Sequence, residues 1–283
     1  MSATSIETPT PSQRVCLSIA GSDSGGGAGI QADLEAFRAF DCFGTTAITA
    51  ITAQNPGGVR AIHPVPADVV AAQIEAVLEA FSVGAVKTGM LFSADIIAAV
   101  AGALGRAQQS VQVVVDPVMI ATSGVSLLQD DAIRALHEHL LPLASLITPN
   151  LPEAEIIVGD SLPTDDSVIA AAGELVIRLG VSVLIKGGHR EGGHACDVLA
   201  TPGQIYLLDA PRLAAACTHG TGCALSAAIA AGLAHGKSML DAVADAKAYV
   251  FHAIANCHQV GPATHALRPD PAWSRDTIEI THL

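Results

Sequence analysis

Residues able to do chemistry are grouped in this sequence. The groups are GSDSGGGAG (21–29), Gln54-Asn55, Asp116-Pro117, Asn150-Leu151-Pro152-Glu153, Lys186-Gly187-Gly188 and Thr218-His219-Gly220-Thr221-Gly222-Cys223. The last group is the most specific, because the apolar stretch ALSAAIAAGLA (224–234) follows it. Two glycines let successive N–H groups converge at a helix N-terminus, where the helix dipole also favours an anion. A plain helix start is the simpler reading. The lysine of Lys186-Gly187-Gly188 weakens it, since a cation beside glycines also suits an anionic ligand. Cys223 falls in the first helical turn, where the dipole favours thiolate.

The glycine run at 21–29 is not a P-loop, because no Lys-Ser or Lys-Thr follows it. Gly27 to Ala32 fits G-x-G-x-x-A. The next strand, however, ends in Ala53-Gln54-Asn55, with no acid to hold a ribose. Two readings are left: a tight strand-to-helix turn, or a loop that lets a small substrate lie against backbone. Asp33, one turn into the next helix, either faces that substrate or is a favourable first-turn charge. Asn150 and Glu153 have the spacing of a capping box. The same oxygens, with Asp116, are candidates for Mg²⁺. Eleven histidines form no zinc spacing.

Elements that position these groups follow from the apolar pattern. VCLSIAG (15–21), TTAITAITAQN (45–55), AVKTGML (85–91), VQVVVDP (111–117), SLITPN (145–150) and VSVLIKGG (181–188) read as strands separated by Ala-rich helices. Ile30, Leu34, Phe37 and Phe40 share one helical face. Residues 197–213 read as a hairpin turning at Pro202-Gly203, and two helices are expected at 222–235 and 238–257. This rhythm predicts an α/β fold, a three-layer αβα sandwich with a mostly parallel sheet. Its ligand edge is the carboxyl end of the strands, where Asn55, Asp116, Asn150 and Lys186 gather. One domain is expected over 14–265, with a loose arm at 1–13 and a C-terminal extension at 266–283.

Composition narrows the function. Half of the 283 residues are apolar and 14% are charged, which excludes a disordered chain. A net charge of −13 argues against a general nucleic-acid binder. Six scattered cysteines without a CxxC pair suggest free thiols in a reducing cytoplasm. The first residues lack the apolar core of a signal peptide. The uncharged stretches 42–59 and 213–236 are broken by Thr, Asn, His and Gly, so no membrane span is expected.

GSDSGGGAGIQADL, ITAQN, GAVKTGML, DPVMIATSG, LITPNLPEAE, LIKGGH and THGTGCALSAAIAA stand in order along the chain. Together they resemble the hydroxymethylpyrimidine/phosphomethylpyrimidine kinases of thiamine biosynthesis, in the ribokinase-like superfamily. The resemblance spans about residues 15–262. It implies a cytoplasmic homodimer and two ATP- and Mg²⁺-dependent phosphorylations. The first is on the hydroxymethyl oxygen of 4-amino-5-hydroxymethyl-2-methylpyrimidine, the second on the resulting monophosphate. It implies that Gln54 binds the aminopyrimidine edge, with Gly21, Ala28, Asp33, Met90 and Val118 lining the pocket. Lys186, Asn150, Thr218 and the amides of Gly220, Thr221, Gly222 and Cys223 would serve the ATP phosphates and the transfer. Asp116, Asn150 and Glu153 would position Mg²⁺, and Cys223 stands at the usual base position. Ala215 and Cys217 depart from the family's usual Thr and Asn, and Thr88 replaces a usual apolar residue. The alternative is a pyridoxal or pyridoxine kinase of the same superfamily. A sugar kinase fits less well, because those usually carry Asp where Cys223 stands. A non-catalytic sensor of the pyrimidine would not need the triphosphate motifs.

Overall fold

The computed structural model describes residues 13–55, 57–107, 111–119, 130–189, 192–214, 217–262 and 264–283. Most of the expected N-terminal arm and Ala215 lie outside these residues. In chain order the elements are β1 (Arg14–Ala20), α1 (Gly29–Ala39), β2 (Cys42–Ile48), β3 (Ala50–Asn55), β4 (Gly58–Pro64), α2 (Ala67–Ala80), β5 (Val83–Thr88), α3 (Ala94–Gly105) and β6 (Gln112–Val115). There follow α4 (Asp130–Ala135), β7 (Leu146–Ile147), α5 (Leu151–Val158), α6 (Asp165–Leu179), β8 (Ser182–Ile185), β9 (His194–Thr201), β10 (Gln204–Pro211), α7 (Thr221–Ala234), α8 (Met239–Ala255), β11 (His258–Gly261), β12 (Thr264–Ala266) and β13 (Glu279–His282).

Strand residues alternate between two buried faces, as a sheet covered on both sides requires. Leu17, Ile19, Val113, Val115, Val183 and Ile185 pack on the side of α2, α3, α5 and α6. Cys16, Val114, Leu146 and Leu184 pack on the side of α1, α7 and α8. The result is the three-layer αβα sandwich. Its nine-stranded sheet has the order β13-β10-β9-β8-β7-β6-β5-β1-β2. The run from β8 to β2 is parallel, and β9, β10 and β13 extend it antiparallel. The hairpin turns at Pro202-Gly203 as expected, with Gly203 at φ 84°.

Helix α7 differs from the amphipathic helices around it. Its residues from Ala224 to Ala234 are all buried. A helix apolar on every side belongs inside a protein, and its small side chains let neighbours approach closely. A Cβ on Gly232 would stand 3.0 Å from the Ala242 Cβ of α8, and one on Gly84 of β5 would stand 3.1 Å from the Ala234 Cβ. The middle of the fold is thus an alanine helix whose N-terminus lies at the carboxyl edge of the sheet.

Two expectations need correction. Residues 45–55 are not one strand. The sheet strand β2 ends at Ile48, and β3 pairs with β4 in a separate antiparallel hairpin. The pivot is buried Thr49, whose N–H donates to Ala20 O at 3.1 Å and whose Oγ1 donates to Met90 O at 2.6 Å. The chain beyond residue 265 also does not stand apart, since β13 pairs with β10 and forms one edge of the sheet. Among the described residues no helix is long and apolar enough to cross a membrane.

Candidate active site

The N-terminus of α7 meets the first glycine loop. Its cap, Gly220, has φ 81°, and a Cβ there would lie 1.7 Å from the Gly27 carbonyl oxygen. Only glycine satisfies both the left-handed backbone and that approach. The helix therefore starts without a side-chain cap. The N–H groups of a first turn have no acceptor within the helix. Thr221 closes the turn, donating from Oγ1 to Thr218 O at 3.0 Å. Thr218 itself is exposed.

Two ion pairs flank this turn. On one side Lys186 Nζ binds Asp116 Oδ1 at 2.9 Å. A Cβ on Gly222 would stand 3.4 Å from that Nζ and 3.7 Å from Asp116 Oδ2. Ser226 Oγ, one turn into α7, lies 3.3 Å from the same Oδ2. Burial works against the Lys186 ammonium, but Asp116 and Glu153 outweigh it and raise its pKa. The Lys-Gly-Gly turn is itself held from behind. Gly187 N–H donates to Asp197 Oδ1 at 2.7 Å, and Lys247 binds Asp197 Oδ2 at 2.7 Å. A Cβ on Gly187 would meet Cys196 O at 1.7 Å, so the turn also requires glycine.

On the other side Lys87 Nζ binds both oxygens of Asp33, at 2.8 and 2.9 Å, and Ser18 Oγ donates to Asp33 at 2.5 Å. Both charged side chains have no exposed surface. Asp33 therefore does not present a free carboxylate to a substrate, contrary to expectation. Its oxygens are engaged by Lys87 and Ser18. Burial disfavours the Lys87 ammonium, yet Asp33 holds its pKa above the ordinary lysine value. Gly89 makes room, since a Cβ there would stand 2.8 Å from Lys87 Nζ.

Cys223 is half-buried within the field of both pairs. Burial pushes its thiol pKa up. Lys87 and the Gly29 N–H pull it down, while Asp33 and Asp116 oppose them, and the net shift is upward. The upward shift disfavours a thiolate, because burial and the two carboxylates outweigh Lys87 and the Gly29 N–H.

Asn150 and Glu153 form the capping box. Asn150 Oδ1 accepts the Glu153 N–H, and Glu153 Oε2 accepts the Asn150 N–H, each at 2.9 Å. Glu153 Oε1 also accepts the Met119 N–H at 3.1 Å. Burial raises the Glu153 pKa, with Lys186 opposing. Among the described residues no three acidic, His or Cys side chains gather to hold a metal.

The opposite wall is the β3–β4 hairpin and the first glycine loop. Gln54 is half-buried near the end of β3, and its side-chain amide has no partner among the described residues. Its backbone is clamped by Ser24 Oγ, which accepts Gln54 N–H at 2.8 Å and donates to Gln54 O at 2.7 Å. Gly21 faces Met90, whose Cε would lie 2.5 Å from a Gly21 Cβ. Val118, two residues past Asp116, holds φ 42°, a costly conformation for a β-branched residue. Thr88 is buried, and its hydroxyl finds no partner among the described residues. Cys217 is buried, and its thiol contacts that of Cys257.

Sequence reading missed Asp23 and His219. Asp23 is 2% exposed and organises the glycine loop. Its oxygens accept the N–H groups of Gly25 at 2.7 Å, Gly27 at 3.1 Å and Ala28 at 2.9 Å. His219 Nε2 lies 3.1 Å from Asp23 Oδ2. An Asp just ahead of a glycine run is an Asx-turn signal, and it was the available clue.

A parallel sheet carrying a helix N-terminus and paired lysines at its carboxyl edge defines the ribokinase-like class. The chain belongs to the phosphomethylpyrimidine kinase family, whose model matches residues 23–268. It is 47% identical over 269 residues to a hydroxymethylpyrimidine/phosphomethylpyrimidine kinase of Rhizobium meliloti, covering 93% of this chain and 99% of that one. Among solved structures it is similar to a phosphomethylpyrimidine kinase from Clostridium difficile, with TM-score 0.76 and 42% identity, covering 86% of this chain and 100% of that one. It is also similar to a pyridoxal kinase from Staphylococcus aureus in complex with AMP-PCP, with TM-score 0.86 and 32% identity, covering 96% of this chain and 100% of that one.

The Asp23 loop yields a pH test. Burial would raise the Asp23 pKa, but hydrogen bonds from His219, Gly25 and Ala28 win, and it falls below the ordinary carboxylate value. A depressed folded pKa contributes stability above the unfolded value, about 3.9. That stability is lost as pH falls through the folded value. Asp23→Asn is expected to lower unfolding stability at pH 7 by about 1–3 kcal/mol. In urea melts the gap to the parent should narrow below about pH 4. A gap unchanged from pH 7 to 3 contradicts this role.

Proposed function

We propose that this chain is an ATP-dependent kinase of thiamine biosynthesis that phosphorylates 4-amino-5-hydroxymethyl-2-methylpyrimidine and then its monophosphate. The carrying observation is the first turn of α7, set between the Lys186–Asp116 and Lys87–Asp33 pairs with Cys223 in it. The amides of Gly220, Thr221, Gly222 and Cys223 face the transferring phosphoryl group, where such donors are each worth on the order of 10²–10³ in rate. Lys186 shares its charge between Asp116 and the ATP phosphates. The Asn150 Nδ2, left over by the capping box, and Thr218 complete the nucleotide side. Gln54 reads the aminopyrimidine edge, donating and accepting through one amide. Gly21, Ala28, Met90 and Val118 line the ring pocket, and Asp33 acts on it indirectly by holding Lys87.

Phosphoryl transfer depends on positioning and charge stabilisation. In the first reaction the hydroxymethyl oxygen bonds to the γ-phosphorus, the bond to the bridging oxygen breaks, ADP leaves and the hydroxyl proton passes to solvent water. In the second, an oxygen of the monophosphate attacks in the same way. Asp116 and Glu153 would hold Mg²⁺ through water, and the ion would offset phosphate charge. The six free cysteines fit a reducing cytoplasm. A second copy of the chain covers the exposed Phe43–Phe81 stack at the β2 edge and Ile51 of the β3–β4 hairpin. Sedimentation should give twice the 28.7 kDa chain mass, and a monomer contradicts the dimer.

The test measures ADP release with the pyrimidine alcohol, its monophosphate and pyridoxal. The two pyrimidines are expected to be turned over faster than pyridoxal, and preference for pyridoxal would make this a pyridoxal kinase. The neutral thiol gives a sharper expectation. A carboxylate 4 Å from the second nucleophile costs about 4 kcal/mol at an effective dielectric near 20. Cys223→Asp should therefore keep the first reaction and slow the second by on the order of 10² or more. Cys223→Ser, also neutral, should keep the second. Diphosphate formation at the parental rate by the Asp variant removes the electrostatic argument.

A further inference from the structure

We propose that Asp23 and His219 are positioning residues that couple the nucleotide site to the pyrimidine site, so that each ligand tightens the other. The proposal rests on the placement of the two ligands argued above. His219 belongs to the loop that opens α7, and Asp23 to the loop against the ring pocket. Their side chains bridge the two loops at 3.1 Å. Asp23 is nearly sealed, whereas the His219 side chain is 30% exposed, so the buried partner is the anchor. Packing reinforces the link, because a Cβ on Gly27 would come within 2.9 Å of the His219 ring.

From Asp23 the connection runs on to the strand that carries Gln54. Ser22 N–H donates to Ala50 O at 2.9 Å, and Thr52 Oγ1 donates to Ser22 O at 2.7 Å. Ser24 clamps both backbone groups of Gln54. A displacement of His219 by bound nucleotide is therefore carried through hydrogen bonds to the hairpin that reads the pyrimidine. Coupling of this kind is reciprocal. Each ligand must then change the other's affinity by one common factor.

Calorimetry would measure the dissociation constant of the pyrimidine alcohol with and without saturating AMP-PCP, and of AMP-PCP with and without the pyrimidine. The parent should show the same tightening in both directions, on the order of 5-fold or more. His219→Ala leaves the three backbone bonds of Asp23 in place and should bring the factor close to one. His219→Gln, which keeps an N–H donor, should retain more of it. Ser24→Ala, one step further along, should also reduce it. Melting curves on the same samples separate coupling from loss of fold. A parental factor of one overturns the proposal, as does a parental factor retained in His219→Ala. If pyridoxal binds in place of the pyrimidine, the substrate assignment fails, and the factor is read with pyridoxal instead.

Discussion

At Gly220 the chain occupies a left-handed conformation, with the carbonyl oxygen of Gly27 where a side chain would begin. This close approach of two glycine loops sets the rest of the site. It allows α7 to begin against the first loop, and it aims the first-turn N–H groups at the space between the strands' carboxyl ends. Helix α7 can reach that place because its alanines and glycines let α8 and the sheet close around it. A larger residue at Gly232 or Gly84 would push α8 or β5 away.

Charge is used sparingly and in pairs. Each of the four lysines binds an aspartate: Lys87 with Asp33, Lys186 with Asp116, Lys237 with Asp245 and Lys247 with Asp197. Pairing lets a chain of net charge −13 keep cations inside. Removing one partner of a buried pair typically costs about 3–5 kcal/mol, so Asp33, Asp116 and Asp197 are also structural. Of the two lysines at the helix turn, Lys186 keeps 14% of its side chain exposed and Lys87 none. Cys223 sits between the two site pairs, where burial disfavours its thiolate, which suits a site that must accept an alcohol and then a phosphate monoester.

Much of the fold was legible in the sequence because strands buried on both faces read as short apolar runs bounded by glycine, proline and polar residues. The two glycine loops and the Lys186 turn were legible for the same reason. What escaped depended on partners distant in the chain. Asp33 reads as a first-turn charge until Lys87, 54 residues away, is seen to seal it. Thr49 reads as one more β-branched residue within a strand, yet its bond to Met90 O marks where the chain leaves the sheet. The strand β13 lies beyond the last recognisable motif and is placed by its pairing with β10.

The central claim is that the meeting of the two loops at Gly220 builds the transfer site. The most direct measurement is the rate of both half-reactions in Gly220→Ala, with the fold followed by circular dichroism. The added methyl must displace the Gly27 carbonyl or the first turn of α7. Both rates should fall by on the order of 10² or more, with the far-ultraviolet spectrum retained. Parental turnover in either half-reaction would show that the close approach is incidental to catalysis.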